Sequence, residues 1–183
     1  MNTSRERLLA ACIDYVRGHG TTDFSLRQCA AAVGSSHRML SYHFGSRQGL
    51  LAAIVLAVAA EQRARVSAGV AVDGASAAEV LRALWNRLAG PAGQAQERLF
   101  FELYAMTLQH RLADVTVLDG LLQEWTAPLT NRALASGLSR SAARAEARLS
   151  LAVLRGLLLE LLATGNRRSA NAALERYLSR LSY

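Results

Sequence analysis

The chain has 183 residues, of which 51% are hydrophobic, with a formal net charge of +7 and a pI of about 10.4. This length is sufficient for a hydrophobic core, and the positive charge favours an anionic partner. Two prolines and abundant Ala, Leu and Arg predict helix almost throughout. No apolar run reaches the roughly 18 residues of a membrane span, which argues against an integral membrane protein.

The first predicted helix runs from about Ser4 to Gly18, with an apolar stripe that includes Cys12 and Val16. Because charged residues begin at Arg5, we interpret this segment as an amphipathic helix and not as a secretory signal. Cys12 and Cys29 both lie on apolar helix faces, which favours small core residues over a disulfide or a metal pair. We therefore expect a cytoplasmic protein.

The segment 24–51 predicts two short helices joined by a glycine turn and followed at once by a third helix, which is a helix-turn-helix. Ser25 is a suitable N-cap for the first of these helices, and Gly34 stands where that helix must stop. Ser35 or Ser36 can cap the second helix. The other face of the second helix is free to meet a partner.

Charge supports a nucleic-acid partner for this segment. Residues 24–60 contain no Asp or Glu, whereas Arg27, Arg38 and Arg47 fall inside them. A surface rich in hydrogen-bond donors and free of acids suits a polyanion. Arg38 lies near the start of the second helix, where its guanidinium could bind a guanine edge in bidentate fashion.

From about Arg5 to Ile54 the sequence resembles the DNA-binding domain of the TetR family of bacterial transcriptional regulators, which reads roughly A-x-x-AGVS-x-x-x-LY-x-HF-x-S-K-x-x-LL. The matching residues are Ala30, Gly34, Ser36, Leu40, His43, Phe44, Ser46, Leu50 and Leu51. Arg47 replaces the usual Lys, Ser41 stands where Tyr is common, and Gly49 stands where an acidic residue is common. The resemblance implies an operator-binding homodimer with a ligand-responsive C-terminal cavity, in association with the bacterial nucleoid.

We expect the DNA-binding residues to be Arg27, Ser36, His37, Arg38, Ser41, Tyr42, His43 and Arg47. Of these, Arg38 would specify sequence, while Tyr42, His43 and Arg47 would hold phosphates. The N-terminus of the following helix would assist Arg47.

The predicted fold is all-α. Residues 1–46 form a three-helix DNA-binding domain with the helix-turn-helix, and residues 47–183 form a helical effector-binding and dimerisation domain. The later helices are predicted from Ser46 to about Ala68, Ser76 to Leu88, Gln94 to Arg111, about Leu121 to Ala135, Ser141 to Ala163, and Ala170 to Leu181. A broken segment is expected around 114–120, and Ser169 is the expected cap of the last helix.

Aromatic residues on three neighbouring predicted helices indicate an effector pocket for a small, mostly apolar molecule. Its candidate lining residues are Trp85, Phe101, Tyr104, His110 and Trp125, with Glu102 as one possible polar anchor. The alternative is that these side chains fill the core.

The helix from Ser141 is apolar on nearly all sides in its second half, and such a helix is buried all round. We therefore predict that the last two helices pair with their copies in a symmetric dimer. The predicted interface residues are Leu151, Leu154, Leu158, Leu162, Leu174, Tyr177, Leu178 and Leu181. Ordinary core packing is the alternative.

The sequence carries no G-x-S-x-G, H-E-x-x-H, P-loop or G-x-G-x-x-G motif, so we expect no enzyme, no catalytic residue, no metal and no cofactor. The favoured function is a repressor that a small ligand releases from double-stranded operator DNA. A constitutive DNA-binding protein without an effector and a helical-bundle enzyme are the alternatives.

Overall fold

The computed structural model describes residues 4–21, 24–70, 75–109 and 116–181. Within these ranges the chain forms nine α-helices and no strand, which confirms the all-α fold class. The helices are α1 Ser4–His19, α2 Leu26–Ala32, α3 His37–Phe44, α4 Arg47–Val70, α5 Ala77–Leu88, α6 Pro91–Leu108, α7 Thr116–Ala135, α8 Arg140–Thr164 and α9 Arg167–Leu178.

Serine side chains begin the helices of the N-terminal region, as the sequence predicts. The hydroxyl of Ser25 accepts from the backbone of Gln28, and that of Ser36 accepts from Met39 at 3.1 Å. Ser46 accepts from Gly49 at 3.1 Å and so begins α4. Between α2 and α3, Gly34 adopts a φ of +66°, which only glycine enters without a Cβ penalty. The two short helices are therefore fixed by their own local sequence.

Three predicted boundaries are wrong. The helix α6 begins at Pro91 and not at Gln94, because a proline is well accommodated in the first turn, where its missing N–H costs nothing. The helix α7 begins at Thr116, inside the break expected at 114–120, of which residues 114 and 115 lie outside the described residues. The cap of α9 is Asn166, whose side chain accepts from the backbone of Ser169 at 3.1 Å.

The chain divides into two compact units. The first unit contains the described residues of 1–60 and 98–117, and the second contains those of 61–97 and 118–181. The predicted domain boundary between residues 46 and 47 stays a prediction.

The core of the first unit joins α1, α2, α3 and the start of α4. Cys12, Cys29 and Leu40 are completely buried in it, and both cysteines are free thiols. The hydrogen bond with Cys29, together with burial, raises the pKa of the Cys12 thiol, so this thiol stays protonated and unreactive. The sequence prediction that both cysteines are core residues is thus confirmed.

The second unit is built around α5, α8 and α9. Its largest fully buried side chains include Trp85, Leu154 and Leu174. On the surface of this unit, Arg82 makes a bidentate ion pair with Glu175, with both N–O distances at 2.7 Å. These contacts join the last helix to α5.

No single helix among the described residues is both long and apolar enough to cross a membrane, whereas the bent pair His37–Phe44 and Arg47–Glu61 reaches that length and composition when its two helices are counted together.

Candidate nucleic-acid interface

The short helix α3 presents a polar face to solvent because its apolar side is anchored in the first unit. Leu40 and Phe44, four residues apart, are buried. His37 and Arg38 therefore lie exposed in the first turn, and Tyr42 is 80% exposed one turn later. An exposed tyrosine next to an arginine offers hydrogen-bond donors at a spacing that fits a polyanion.

The segment that contains α2, α3 and the start of α4 has no acidic side chain. The stretch 24–60 has no Asp or Glu, and Arg27 is exposed on α2. Positive charge is thus concentrated on the two helices of the turn motif. This arrangement attracts a polyanion before any specific contact forms.

Three of the predicted DNA-binding residues are less free than the sequence implies. The hydroxyl of Ser36 is the cap of α3, and Ser41 is half-buried. His43 is also half-buried, and its ring meets the ring of Tyr42 edge to face at 5.1 Å. The Nε2 atom of His43 is buried without a hydrogen-bond partner among the described residues. The sequence could not show the burial of His43, because this burial depends on how the helices pack.

Arg47 has a different position from the one expected for a phosphate ligand. Its Nε donates to the carbonyl oxygen of Phe24 at 2.8 Å, and its Nη2 donates to that of Thr21 at 3.3 Å. The guanidinium also lies over the Phe24 ring at 5.7 Å. Arg47 therefore holds the connection between α1 and α2, because two backbone carbonyls left over in that connection need donors. Its predicted phosphate contact stays a prediction beside these internal hydrogen bonds.

Replacing Arg47 with Met should lower the free energy of unfolding by about 1–3 kcal/mol, because two part-buried carbonyls lose a charged donor. Urea denaturation followed by circular dichroism measures this change. The matched variant is Arg38→Met, whose exposed side chain should alter stability by no more than about 0.5 kcal/mol. Equal stability of both variants would contradict a stabilising role for the hydrogen bonds of Arg47.

Sequence reasoning missed Arg5, which lies at the C-terminal end of α3. Its Nε donates to the carbonyl oxygen of His43 at 3.5 Å, and its guanidinium lies over the Phe44 ring at 5.1 Å. A cation at a helix C-terminus is favourable because the last carbonyls carry partial negative charge. Only the packing of α1 brings Arg5 to this place, so periodicity gave no signal for it.

Glu102 of α6, a possible polar anchor in the sequence, makes hydrogen bonds within the first unit. Its Oε2 accepts from the backbone N–H of Thr21 at 3.1 Å and from the Thr21 hydroxyl at 3.0 Å. Arg47 therefore donates to carbonyl oxygens of the α1–α2 connection, and Glu102 accepts from the donors of Thr21 in the same connection. That connection orients the motif that carries α3.

The described aromatic residues of the predicted effector pocket divide between the two units. Trp85 and Trp125 are each 1% exposed in the second unit. The Nε1 of Trp85 donates to Asn171 at 2.8 Å, and the Arg155 guanidinium lies 4.1 Å from the Trp125 ring centroid. The half-buried Phe101 and Tyr104 belong to the first unit, and His110 lies outside the described residues.

The residues predicted for the dimer interface lie largely inside the single chain, and their role in a dimer stays a prediction. Leu151, Leu154, Leu158, Leu174 and Leu178 are buried within their own chain, and Leu162, Tyr177 and Leu181 are partly buried. Tyr177 also hydrogen-bonds Ser150 of α8 at 2.8 Å. These leucines are buried because α8 packs this stripe against the other helices of the second unit.

A different face of α8 is exposed and apolar. It consists of Ala145, Leu149, Ala152, Gly156, Leu159 and Ala163, at alternating spacings of four and three residues. Leu149 is 50% and Leu159 is 53% exposed. This pattern is the apolar seam that two helices share in a left-handed pair, and small residues in it allow close approach. We call it the α8 seam.

Comparisons with family models and with curated proteins give no match. Solved structures do match along nearly the whole chain. A transcriptional regulator from Rhodococcus sp. Rha1 is 22% identical with a TM-score of 0.80, covering 97% of this chain and 95% of that one. A TetR transcriptional regulator from Legionella pneumophila is 16% identical with a TM-score of 0.73, covering 98% and 97%.

A third structure, the multidrug binding protein EbrR complexed with imidazole, is 27% identical with a TM-score of 0.69, covering 97% of this chain and 94% of that one. These similarities extend through both units. The resemblance of residues 5–54 to the TetR family is therefore confirmed at the level of the fold of the whole described chain.

Proposed function

We propose that this chain, which has the fold of the TetR-family transcriptional regulators, is itself a DNA-binding transcriptional regulator of the bacterial cytoplasm. The observation that carries the proposal is the exposed face of α3, with His37, Arg38 and Tyr42 in a segment without acidic residues. A helix anchored on one side and polar on the other can enter the major groove. Arg38 and His37 would read base edges there, and Arg27 and Tyr42 would contact phosphates.

The active form in this proposal is a homodimer. Two copies present two α3 helices, which can bind half-sites about 34 Å apart on one face of DNA. The α8 seam is the surface best suited to the pairing, since exposed leucines in a helical seam are otherwise unfavourable in water. The small residues Ala152 and Gly156 at its centre would let the two α8 helices approach closely.

The proposed mode of action is repression, with release from the operator by a small, mostly apolar ligand. Support comes from the fold, and from a structural neighbour that is a multidrug binding protein complexed with imidazole. Such a ligand can act only through its different affinity for the operator-bound and free forms, typically about 1–3 kcal/mol. Its site in this chain is a proposal based on the aromatic residues of α6.

A constitutive DNA-binding protein is the second candidate. The complete burial of Trp85 and Trp125 favours it, because side chains that fill the core leave no room around themselves for an effector. The two candidates share the DNA interface and differ only in whether a ligand changes operator affinity.

Selection of binding sites from random duplex DNA, followed by fluorescence anisotropy on the selected operator, tests the DNA interface. Replacing Arg38 with Gln should cost about 1–3 kcal/mol of operator binding and relax the preference at one base position. The matched control is Arg168→Gln, an exposed arginine of α9, which should leave binding unchanged. Selection of no sequence by the unaltered protein would contradict the proposed function.

A further inference from the structure

A polar groove of about 590 Å³ lies in the second unit between α7 and α8. One wall carries Arg144 and Arg148 of α8, and the other carries Gln123, Thr126, Thr130 and Asn131 of α7. Its volume falls within the range of small-molecule sites, which is about 300–1,000 Å³. The aromatic residues of the predicted effector pocket are not among its lining residues, so it is a separate feature.

The two arginines place two positive charges on the same wall of the groove. They are four residues apart on one helix, so their Cβ atoms are about 6 Å apart and the charges repel each other. Both are exposed, and neither has a hydrogen bond or ion pair with another described residue. No acidic residue is found among the lining residues that the structure describes. An anion between the two guanidinium groups would relieve this repulsion.

The opposite wall determines the rest of the ligand. The amides of Gln123 and Asn131 and the hydroxyl of Thr130 can both donate and accept hydrogen bonds, whereas the Thr126 hydroxyl already donates to the carbonyl oxygen of Gln123 at 3.2 Å. Such groups match the hydroxyls of a polar molecule and offer little to an apolar one. Arginine in turn binds a carboxylate or a phosphate through two parallel N–H bonds.

We propose that the α7–α8 groove is a binding site for a small, hydroxylated organic anion that carries a carboxylate or a phosphate ester. Arg144 and Arg148 bind the anionic group, and the amides and hydroxyls of α7 orient the hydroxylated part. This site does not depend on α3, so it stands or falls separately from the proposed DNA binding.

Isothermal titration calorimetry of the full chain, at constant ionic strength, tests the site with three probes of similar size. These are gluconate, 6-phosphogluconate and the uncharged sorbitol. We expect both anions to bind and sorbitol to give no heat. The variants Arg144→Gln and Arg148→Gln should each weaken anion binding by roughly ten- to a hundredfold, as expected when a charge-assisted hydrogen bond is lost. Arg168→Gln is the matched control, and it should leave the binding constant unchanged.

Several results would overturn the proposal. One is equal binding of sorbitol and gluconate, since the arginines would then contribute nothing. Another is the absence of heat with either anion at millimolar concentration. A third is unchanged anion affinity in both arginine variants. If the variants alter self-association in sedimentation and no anion binds, the arginines face a second copy of the chain. Circular dichroism of each variant establishes that these exposed substitutions leave the fold intact.

Discussion

Replacing Leu159 with Glu should split the proposed dimer into folded monomers. The side chain is 53% exposed in the single chain, so the variant can fold with its new charge in water. In a dimer built on the α8 seam the same carboxylate would be buried without a partner, which costs several kcal/mol. Sedimentation at micromolar concentration should then show a monomer, and operator affinity should fall by roughly a hundredfold or more as the second half-site is lost.

The neighbouring residue gives a matched control for Leu159→Glu. Leu158 is 1% exposed, so Leu158→Glu places a charge inside the chain's own core and should unfold the second unit instead. Circular dichroism separates the two effects, because Leu159→Glu keeps its full helical signal and Leu158→Glu loses the part that the second unit contributes. A Leu159→Glu variant that remains dimeric would show that copies of this chain associate through another surface.

Replacing Gly49 with Ala should destabilise the first unit, although alanine normally favours a helix. A Cβ at this position would collide with the carbonyl oxygen of Phe44, which is backbone and cannot move aside without distorting the end of α3. We expect the free energy of unfolding to fall by about 1–3 kcal/mol. Thermal and urea denaturation of the full chain measure it.

Gly18→Ala is the control for the Gly49 variant, because a Cβ at Gly18 of α1 meets no atom within 4 Å. There the substitution should raise stability by up to about 1 kcal/mol, through the lower flexibility of the unfolded chain. An equal gain in both variants would mean that the corner between α3 and α4 is wider than the geometry around Phe44 indicates. Glycine at position 49 therefore permits the close approach of α4 to the end of α3.

Local sequence was sufficient to predict those parts of the candidate nucleic-acid interface whose positions depend on residues nearby in the chain. Ser36 caps α3 because its hydroxyl reaches an amide three residues on, and Leu40 and Phe44 lie on one helix face. Those two facts leave Arg38 and Tyr42 in solvent, as the sequence predicts. Residues whose surroundings lie within one or two turns of helix can be placed in this way.

Contacts between distant segments could not be predicted. Arg47 has the charge expected of a phosphate ligand, but two carbonyl groups more than 20 positions earlier bind it. On α8, leucines occupy both sides of the helix, so the sequence could not decide which stripe faces the core. Packing resolves this choice: the stripe with Leu154 and Leu158 is inside, and the seam with Gly156 and Leu159 is outside.

The hydrogen bonds from Thr21 to Glu102 have a consequence for building chimeric regulators. The first 60 residues include all of α1, α2 and α3, so they are the segment that would be joined to another protein in a chimera. Such a graft would leave behind the acceptor that lies 81 positions downstream. Thr21 is buried, and its two donors would need a substitute from the new host. A stable chimera therefore has to include the second half of α6 with this segment, or to supply another carboxylate in place of that of Glu102.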